Sequence, residues 1–195
     1  MRSGIADDAA VTVVLLAGGE ATRLPGKLER DDAGDPLIVR AYERFAASYP
    51  VVVSASATFA PAIDARLACP IVVDRWSRRG PLAGMLSAFA AVRTPLVCAV
   101  AADLPDVDAG VVAGLRAAYD EGVEAVVPVH ERGIEPLCAL YDRAAFERAG
   151  MPVLAAGTGA VRDVLAALRV ATVAMPSHRF ANVNTHADWA RAFAS

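Results

Sequence analysis

The chain has 195 residues, a formal net charge of −3 and a hydrophobic fraction of 55%. This length is typical of one domain and is enough to bury a substantial core, so we predict a single domain over residues 1–195. Charged residues interrupt every apolar run before it reaches the roughly 18 residues that a membrane helix needs. The negative net charge argues against a broad nucleic-acid surface.

Residues 1–10 contain two aspartates and lack the apolar segment of a signal peptide, so we expect a flexible tail there. The three cysteines are odd in number, widely spaced and set in apolar surroundings. This pattern favours reduced core thiols over a disulfide framework or a zinc site. We therefore expect a cytoplasmic protein.

The first predicted element is the strand Val11–Leu16, which leads into a glycine-containing loop. A wholly apolar strand is typical of a parallel sheet covered on both faces, and such sheets bind ligands at the carboxyl ends of their strands. Gly18 and Gly19 lie there and let backbone N–H groups approach an anion. Arg23 and Lys27 then offer a planar fork and a mobile charge for phosphate oxygens. The loop predicts a nucleoside triphosphate site, although a simple turn with solvated cations has the same residues.

Two other glycine loops are excluded. Lys27 is followed by Leu28, which rules out the loop that ends in Gly-Lys-Ser/Thr, and adjacent glycines rule out Gly-x-Gly-x-x-Gly.

Strands and helices then alternate, which is typical of an α/β layer fold. Asp108 is expected to cap one helix, and Thr185 with Asp188 is expected to form a capping box for the last. A hairpin turn at 130–134, with Gly133 at positive φ, predicts a small antiparallel excursion. Helices are predicted at 36–48, 60–67, 80–92, 108–120, 158–168 and after 184, and strands at 51–54, Ile71–Val73, Leu96–Ala101, 125–129, 137–141 and 170–175.

Two carboxylates follow predicted strands and so belong to the carboxyl edge of the sheet. Asp103 comes after Leu96–Ala101 and is our candidate Mg²⁺ ligand, because this ion is held by few protein carboxylates together with phosphate oxygens. Its alternative role is to stabilise the turn before Pro105. Asp74 ends Ile71–Val73, and the alternative for it is a surface position beside Arg75.

Five motifs carry a resemblance to a known family. They are Leu16-Ala17-Gly18-Gly19 with Arg23 and Lys27, Asp74 with Gly80-Pro81-Leu82-Ala83-Gly84, Ala102-Asp103-Leu104-Pro105, Glu135-Pro136-Leu137-Cys138-Ala139-Leu140-Tyr141, and Asn182-Val183-Asn184-Thr185. In this order they resemble the molybdenum cofactor guanylyltransferases (MobA), within the Rossmann-like nucleotidyltransferases. The resemblance implies a mostly parallel central sheet flanked by helices, with an antiparallel excursion that carries the acceptor side of the site.

The resemblance also implies an activity, the Mg²⁺-dependent transfer of GMP from GTP to molybdenum-bearing molybdopterin with release of pyrophosphate. It implies catalytic roles for Lys27, Arg23 and Asp103, with Asp103 as the metal ligand. Acceptor binding is expected at Asn182 and Asn184, and at Arg162. The expected nucleotide-binding residues are Leu16, Ala17, Gly18, Gly19, Lys27, Ser54, Asp74, Gly80, Pro81, Leu82, Ala83, Gly84 and Asp103.

Base choice has one sequence indicator, since Gly19 and the segment 81–84 match the guanine enzymes rather than their cytidylyltransferase relatives. The chain also departs from the family. The loop before Lys27 is short and lacks the usual acidic residue, and Ser54 stands where the family often has Asn.

Other functions are compatible with the same sequence features. They are a molybdopterin cytidylyltransferase, a sugar-1-phosphate nucleotidyltransferase and, from another class, a nucleotide-binding regulatory domain without turnover. The expected partners are GTP and molybdopterin, together with other cofactor-biosynthesis proteins or a molybdoenzyme. We expect neither nucleic acid nor a membrane.

Overall fold

The computed structural model describes residues 10–18, 28–29, 35–76 and 79–193. The sequence predictions for Gly19, Arg23 and Lys27 lie outside these described residues, as does all but the last residue of the predicted tail.

The described residues alternate between strands and helices as the sequence predicts. The strands are β1 Val11–Leu16, β2 Val51–Ala55, β3 Ile71–Val73, β4 Leu96–Ala101, β5 Ala125–His130, β6 Gly133–Ile134, β7 Cys138–Asp142 and β8 Val170–Ala174. The helices are α1 Leu37–Ala46, α2 Pro61–Asp64, α3 Gly80–Phe89, α4 Ala109–Ala117, α5 Arg143–Ala156, α6 Val161–Leu165 and α7 His186–Phe193, with a 3-10 helix at Ser177–Phe180.

All of these strands join one sheet, in the order β3-β2-β1-β4-β7-β5-β6, with β8 paired to β5. Strands β3, β2, β1 and β4 are mutually parallel, whereas β7 is antiparallel to both β4 and β5. The mostly parallel sheet with an antiparallel excursion is therefore confirmed. Because β4 and β5 both oppose β7, their carboxyl ends lie at the same edge as those of β1, β2 and β3.

The core fills both faces of the sheet, because successive side chains of a strand point to opposite sides. Val13 and Leu15 pack with Phe45 of α1 and Leu115 of α4, whereas Val14 packs on the other face among residues of α3 and α5. These contacts explain the continuous apolar character of β1, which needs no polar face. They also fix the carboxyl end of β1 against its neighbours.

Helix α5 was not predicted from the sequence, although it has 14 residues. Pro152 lies inside it and removes one backbone donor. Gly150 allows close packing on α3, since a Cβ there would lie 3.1 Å from Leu86 Cδ2. Both residue types argue against a helix when read locally, and tertiary packing overrides that signal.

Two caps and the hairpin agree with expectation. The Asp108 carboxylate accepts from Val111 N, and Thr185 and Asp188 exchange the hydrogen bonds of a capping box. Gly133 has a φ of +123°, and β6 pairs with the end of β5. Helices α1, α2, α3, α4 and α6 end earlier than predicted.

Candidate functional site

The carboxyl ends of β1, β2 and β3 bring four predicted nucleotide-binding residues together. Ala17 N donates to Ser54 O at 2.7 Å, and Asp74 N donates to Ala55 O at 2.9 Å. These bonds extend the parallel ladder one residue beyond each strand. They hold Ala17 and Asp74 at the point where the chain leaves the sheet, which is where parallel sheets bind ligands.

The Ser54 hydroxyl links β2 to the loop after β3 and to helix α3. Its Oγ lies 3.0 Å from Asp74 Oδ1 and 3.1 Å from Gly84 O. A Cβ on Gly84 would lie only 2.9 Å from Ser54 Oγ and 3.0 Å from Asp74 Oδ1. A Cβ on Gly18 would lie 3.3 Å from Asp74 Oδ2. The missing side chains of both glycines therefore give the carboxylate its space.

Burial shifts the ionisation of the carboxylate at the centre of this cluster. Partial burial raises the pKa of Asp74 above its ordinary value of 3.8, and the hydrogen bond from Ser54 acts in the opposite direction. The side chain is only partly buried, and Gly18 and Gly84 pack closely against it. Its exposed part is accessible to a polar group of a ligand.

The start of α3 packs against the α5–α6 loop, a contact that the sequence did not predict. Gly80 and Gly159 have φ values of +69° and +64°, and a Cβ on Gly159 would lie 2.4 Å from Arg79 O. The α5–α6 loop thus contacts the backbone at the start of α3. The pair Gly157 and Gly159 was the available signal, because two glycines two residues apart often mark a close backbone approach.

Leu82 and Ala83 lie inside the core rather than at the surface of this helix start, with exposed fractions of 0% and 1%. Neither residue therefore presents accessible surface at the start of this helix. Gly80 and Pro81 are exposed and begin the helix, where unpaired backbone N–H groups favour an anion.

Asp103 follows β4 at the same edge and is partly exposed. Its backbone O accepts from Val183 N at 2.9 Å, which brings the segment containing Asn182 and Asn184 alongside it. Val183 itself is buried with Leu37 and Trp189. The structure therefore brings together a predicted metal ligand and two predicted acceptor-binding residues that are far apart in the sequence.

Arg44 donates a hydrogen bond to the turn that contains Asp103, a contact that the sequence did not predict. Its Nη2 donates to Leu104 O at 3.1 Å. Burial lowers the pKa of Arg44 to about 10, and the charges of Asp106 and Asp108 partly oppose that shift. A helical Arg gives no local sign of such a contact.

The donor set at Asp103 fits Mg²⁺ only together with a nucleotide. Within residues 10–18, 28–29, 35–76 and 79–193, no group of three or more His, Cys, Asp or Glu side chains could enclose a metal ion. Mg²⁺ is commonly held by one or two carboxylates, with substrate phosphates and water completing its shell. A carboxylate at the ligand edge of the sheet meets that requirement.

Arg162 lies near the antiparallel strands β5 and β6, away from the cluster around Asp74. Its side chain is exposed on α6, and its Nη2 lies 3.8 Å from where a Cβ of Gly133 would be. The guanidinium therefore lies beside the β5–β6 turn.

Comparison with known proteins now adds to this geometry. Residues 13–176 match the MobA-like NTP transferase domain. The chain belongs to this family. It is 33% identical over 189 residues to the molybdenum cofactor guanylyltransferase of Burkholderia vietnamiensis, a match that covers 90% of this chain and 91% of that one. The resemblance drawn from the five motifs is thereby confirmed.

Solved structures of other proteins share this architecture. Molybdopterin-guanine dinucleotide biosynthesis protein A from Archaeoglobus fulgidus superposes with a TM-score of 0.76 at 25% identity, over 93% of this chain and 96% of that one. A 2-C-methyl-D-erythritol 4-phosphate cytidylyltransferase from Thermus thermophilus gives a TM-score of 0.71 at 19% identity, over 95% and 98%. The second likeness shows the fold alone. Over the described ranges, no helix is long and apolar enough to cross a membrane.

Proposed function

We propose that this chain transfers GMP from GTP to molybdopterin and releases pyrophosphate. One observation carries the proposal, namely the match over 90% of the chain to a protein named molybdenum cofactor guanylyltransferase. The Archaeoglobus protein that shares the fold is named for molybdopterin-guanine dinucleotide biosynthesis. In this proposal, the nucleotide binds beside Asp74 and the acceptor binds near Asn182 and Asn184, at the same edge of the sheet.

In the proposed reaction, a terminal phosphate oxygen of molybdopterin attacks the α-phosphorus of GTP. A new P–O bond forms in line with the bond to pyrophosphate, which breaks and leaves with its electron pair. Such transfers depend on positioning and charge neutralisation more than on a protein nucleophile.

Each residue has a proposed role in that reaction. The backbone of 16–19 and the start of α3 bind the nucleotide, and Arg23 and Lys27 bind its phosphates. Asp103 holds Mg²⁺, which neutralises phosphate charge when bound. Asn182 and Asn184 donate to and accept from the acceptor, and Arg162 binds its anionic part.

Pyrophosphate release tests this proposal directly. The protein is incubated with Mg²⁺ and each of the four common NTPs, with and without molybdopterin. We expect release only with molybdopterin present, and faster release with GTP than with CTP, ATP or UTP. A CTP preference would favour the cytidylyltransferase alternative, and GTP binding without release would favour a regulatory domain.

Asp103→Asn tests the metal role. The substitution keeps size and hydrogen bonding but removes the charge, so the rate should fall about a hundredfold or more, since a metal ion contributes several kcal/mol of transition-state stabilisation. Asp106→Asn changes an exposed carboxylate three residues away and should keep nearly the full rate. A folded Asp103→Asn protein with normal Mg²⁺-dependent turnover would remove Asp103 from the mechanism.

A further inference from the structure

A histidine–glutamate pair lies at the β5–β6 hairpin, outside the residues assigned a role above. His130 ends β5 and Glu135 follows β6, and His130 Nε2 lies 2.8 Å from Glu135 Oε1. The side chain of His130 is 2% exposed, whereas that of Glu135 is 29% exposed. The imidazole is thus buried behind a carboxylate that is partly open to solvent.

The imidazole orientation is fixed on three sides. Arg132 N donates to His130 Nδ1 at 3.1 Å, so the neutral ring carries its proton on Nε2 and donates it to Glu135. The ring also stacks on Phe180, with centroids 5.4 Å apart. One oxygen of the Glu135 carboxylate is therefore held in place, and the direction of the other is set with it.

The pair lies at the reactive edge of the sheet, on the side away from Asp74. Strands β4 and β5 end at the same edge, since both are antiparallel to β7. Leu137 O, two residues after Glu135, accepts from Ala101 N at the end of β4. Phe180 leads into the segment whose Val183 N donates to Asp103 O. Backbone contacts on both sides therefore connect the pair to the Asp103 turn.

We propose that Glu135 determines acceptor specificity by binding the 2-amino-4-oxopyrimidine edge of a pterin ring, and that His130 is its positioning residue. This inference rests on the proposed function. A carboxylate accepts well from the adjacent amino and ring N–H donors of that edge. Arg162 of α6 lies beside Gly133, which belongs to the same hairpin as the pair, and supplies a cation for the acceptor phosphate.

Guanine presents the same donors as a pterin ring, so the location of Glu135 has to show which of the two rings it binds. The predicted nucleotide residues Gly18, Ser54 and Asp74 cluster at β1, β2 and β3, whereas Glu135 belongs to the β5–β7 side. Strand β4 with its Asp103 turn lies between these groups. The arrangement favours the acceptor ring over the base of the nucleotide.

Two probes that differ at the recognised group test the proposal. They are 6-hydroxymethylpterin monophosphate and its lumazine counterpart, which has an oxo group in place of the 2-amino group. Dissociation constants are measured by fluorescence titration for wild type, Glu135→Gln and Glu147→Gln. Glu147 is the matched control, because its carboxylate is similarly exposed (32%) and is paired with Arg143 on α5.

We expect wild type and Glu147→Gln to bind the pterin probe more tightly than the lumazine probe. In Glu135→Gln the side chain still accepts from His130 through its amide oxygen but presents an NH₂ group to the ring. Its affinity for the pterin probe should fall about tenfold or more, the usual effect of one hydrogen bond to a charged group. Its affinity for the lumazine probe should not fall, because the NH₂ group can donate to the 2-oxo group, and its affinity for GTP should be unchanged.

Three results would overturn the proposal. They are a preference for the pterin probe that survives in Glu135→Gln, a loss confined to GTP, which would make Glu135 a nucleotide-binding residue, and an equal loss for both probes with a lower Tm, which would indicate a structural role. His130→Gln serves as the second variant, and we expect a weaker loss of the same preference. Molybdopterin-dependent pyrophosphate release by wild type separately tests the proposed function.

Discussion

Asp74 is the residue around which the carboxyl ends of β1, β2 and β3 are packed. Ser54 donates to it, and Gly18 and Gly84 leave room for it that a methyl group would fill. Its carboxylate stays partly buried beside the ends of three strands. The glycines of the two motifs thus have a structural reason that is independent of any ligand.

Gly84→Ala should destabilise the protein and weaken GTP binding. The new Cβ would lie 2.9 Å from Ser54 Oγ, so Ser54 and Asp74 must separate. We expect a loss of about 1–3 kcal/mol in the free energy of unfolding, the usual cost of overpacking. Gly114→Ala is the control, because its Cβ would meet only Met175 Cε at 3.6 Å. This substitution should raise the free energy of unfolding by about 0.4–1 kcal/mol. Urea unfolding of both variants measures the contrast, and equal effects would contradict the packing argument.

Asp74→Asn should lower GTP turnover without lowering stability at pH 7. Burial raises the pKa of Asp74 in the folded protein above 3.8, so wild type loses stability as pH rises from 3.8 through that raised pKa. The Asn variant does not titrate and avoids this loss. Thermal unfolding should show the variant at least as stable as wild type at pH 7, with the difference vanishing below about pH 3.8. A variant that is less stable than wild type at pH 7, and whose stability relative to wild type rises on acidification, would contradict the predicted direction of the pH dependence.

Residues that follow strands were predictable, and residues that support turns were not. Asp74 and Asp103 each come directly after an apolar run, which marks the ligand edge of a parallel sheet. Arg44 contacts Leu104, 60 residues away, and Gly159 contacts Arg79. Neither contact leaves a local pattern, because both depend on how distant segments pack.

At the scale of elements, three strands have the bounds that the sequence predicts, namely β1, β3 and β4. Strand β3 lies between Pro70 and Asp74, and β4 begins directly after Pro95, so these three ends are marked by a turn or polar residue. Helix α5 left no clear signal, because Gly150 and Pro152 interrupt it. Strand β6 is only two residues long and was predicted as part of the turn.

Glu124 joins three elements at the opposite edge of the sheet from the site. It precedes β5, and its carboxylate accepts from Arg148 of α5 at 2.7 Å and from Arg169 N before β8 at 3.0 Å. The hydrogen bond from the Arg169 backbone is the largest cause that lowers the pKa of Glu124 below 4.5, and the arginine side chains act in the same direction. The carboxylate is therefore more stable ionised in the folded chain.

Glu124→Gln should lower the Tm at pH 7 by more than Glu147→Gln, whose α5 pair with Arg143 lies on the surface. A carboxyl with a lowered pKa contributes stability above its unfolded pKa and loses it as pH falls through the folded pKa. The Tm deficit of Glu124→Gln should therefore shrink as the pH is lowered from 4.5. A deficit that is independent of pH would mean that shape rather than charge joins these elements.

At the scale of the whole molecule, the residues proposed for nucleotide and acceptor binding lie on either side of β4. Gly18, Ser54 and Asp74 belong to the parallel β3-β2-β1 side, and His130 and Glu135 belong to the antiparallel side. The same architecture occurs in a cytidylyltransferase from Thermus thermophilus.

The fate of the α-phosphate of GTP tests the central claim most directly. GTP labelled with ³²P at the α position is incubated with the protein, Mg²⁺ and molybdopterin, and the products are separated by chromatography. We predict that the label moves from GTP into a molybdopterin adduct of GMP, in a one-to-one ratio with the pyrophosphate released. Label that stays in GTP or appears only in GDP or free GMP, or an adduct that forms faster from labelled CTP, would contradict the account.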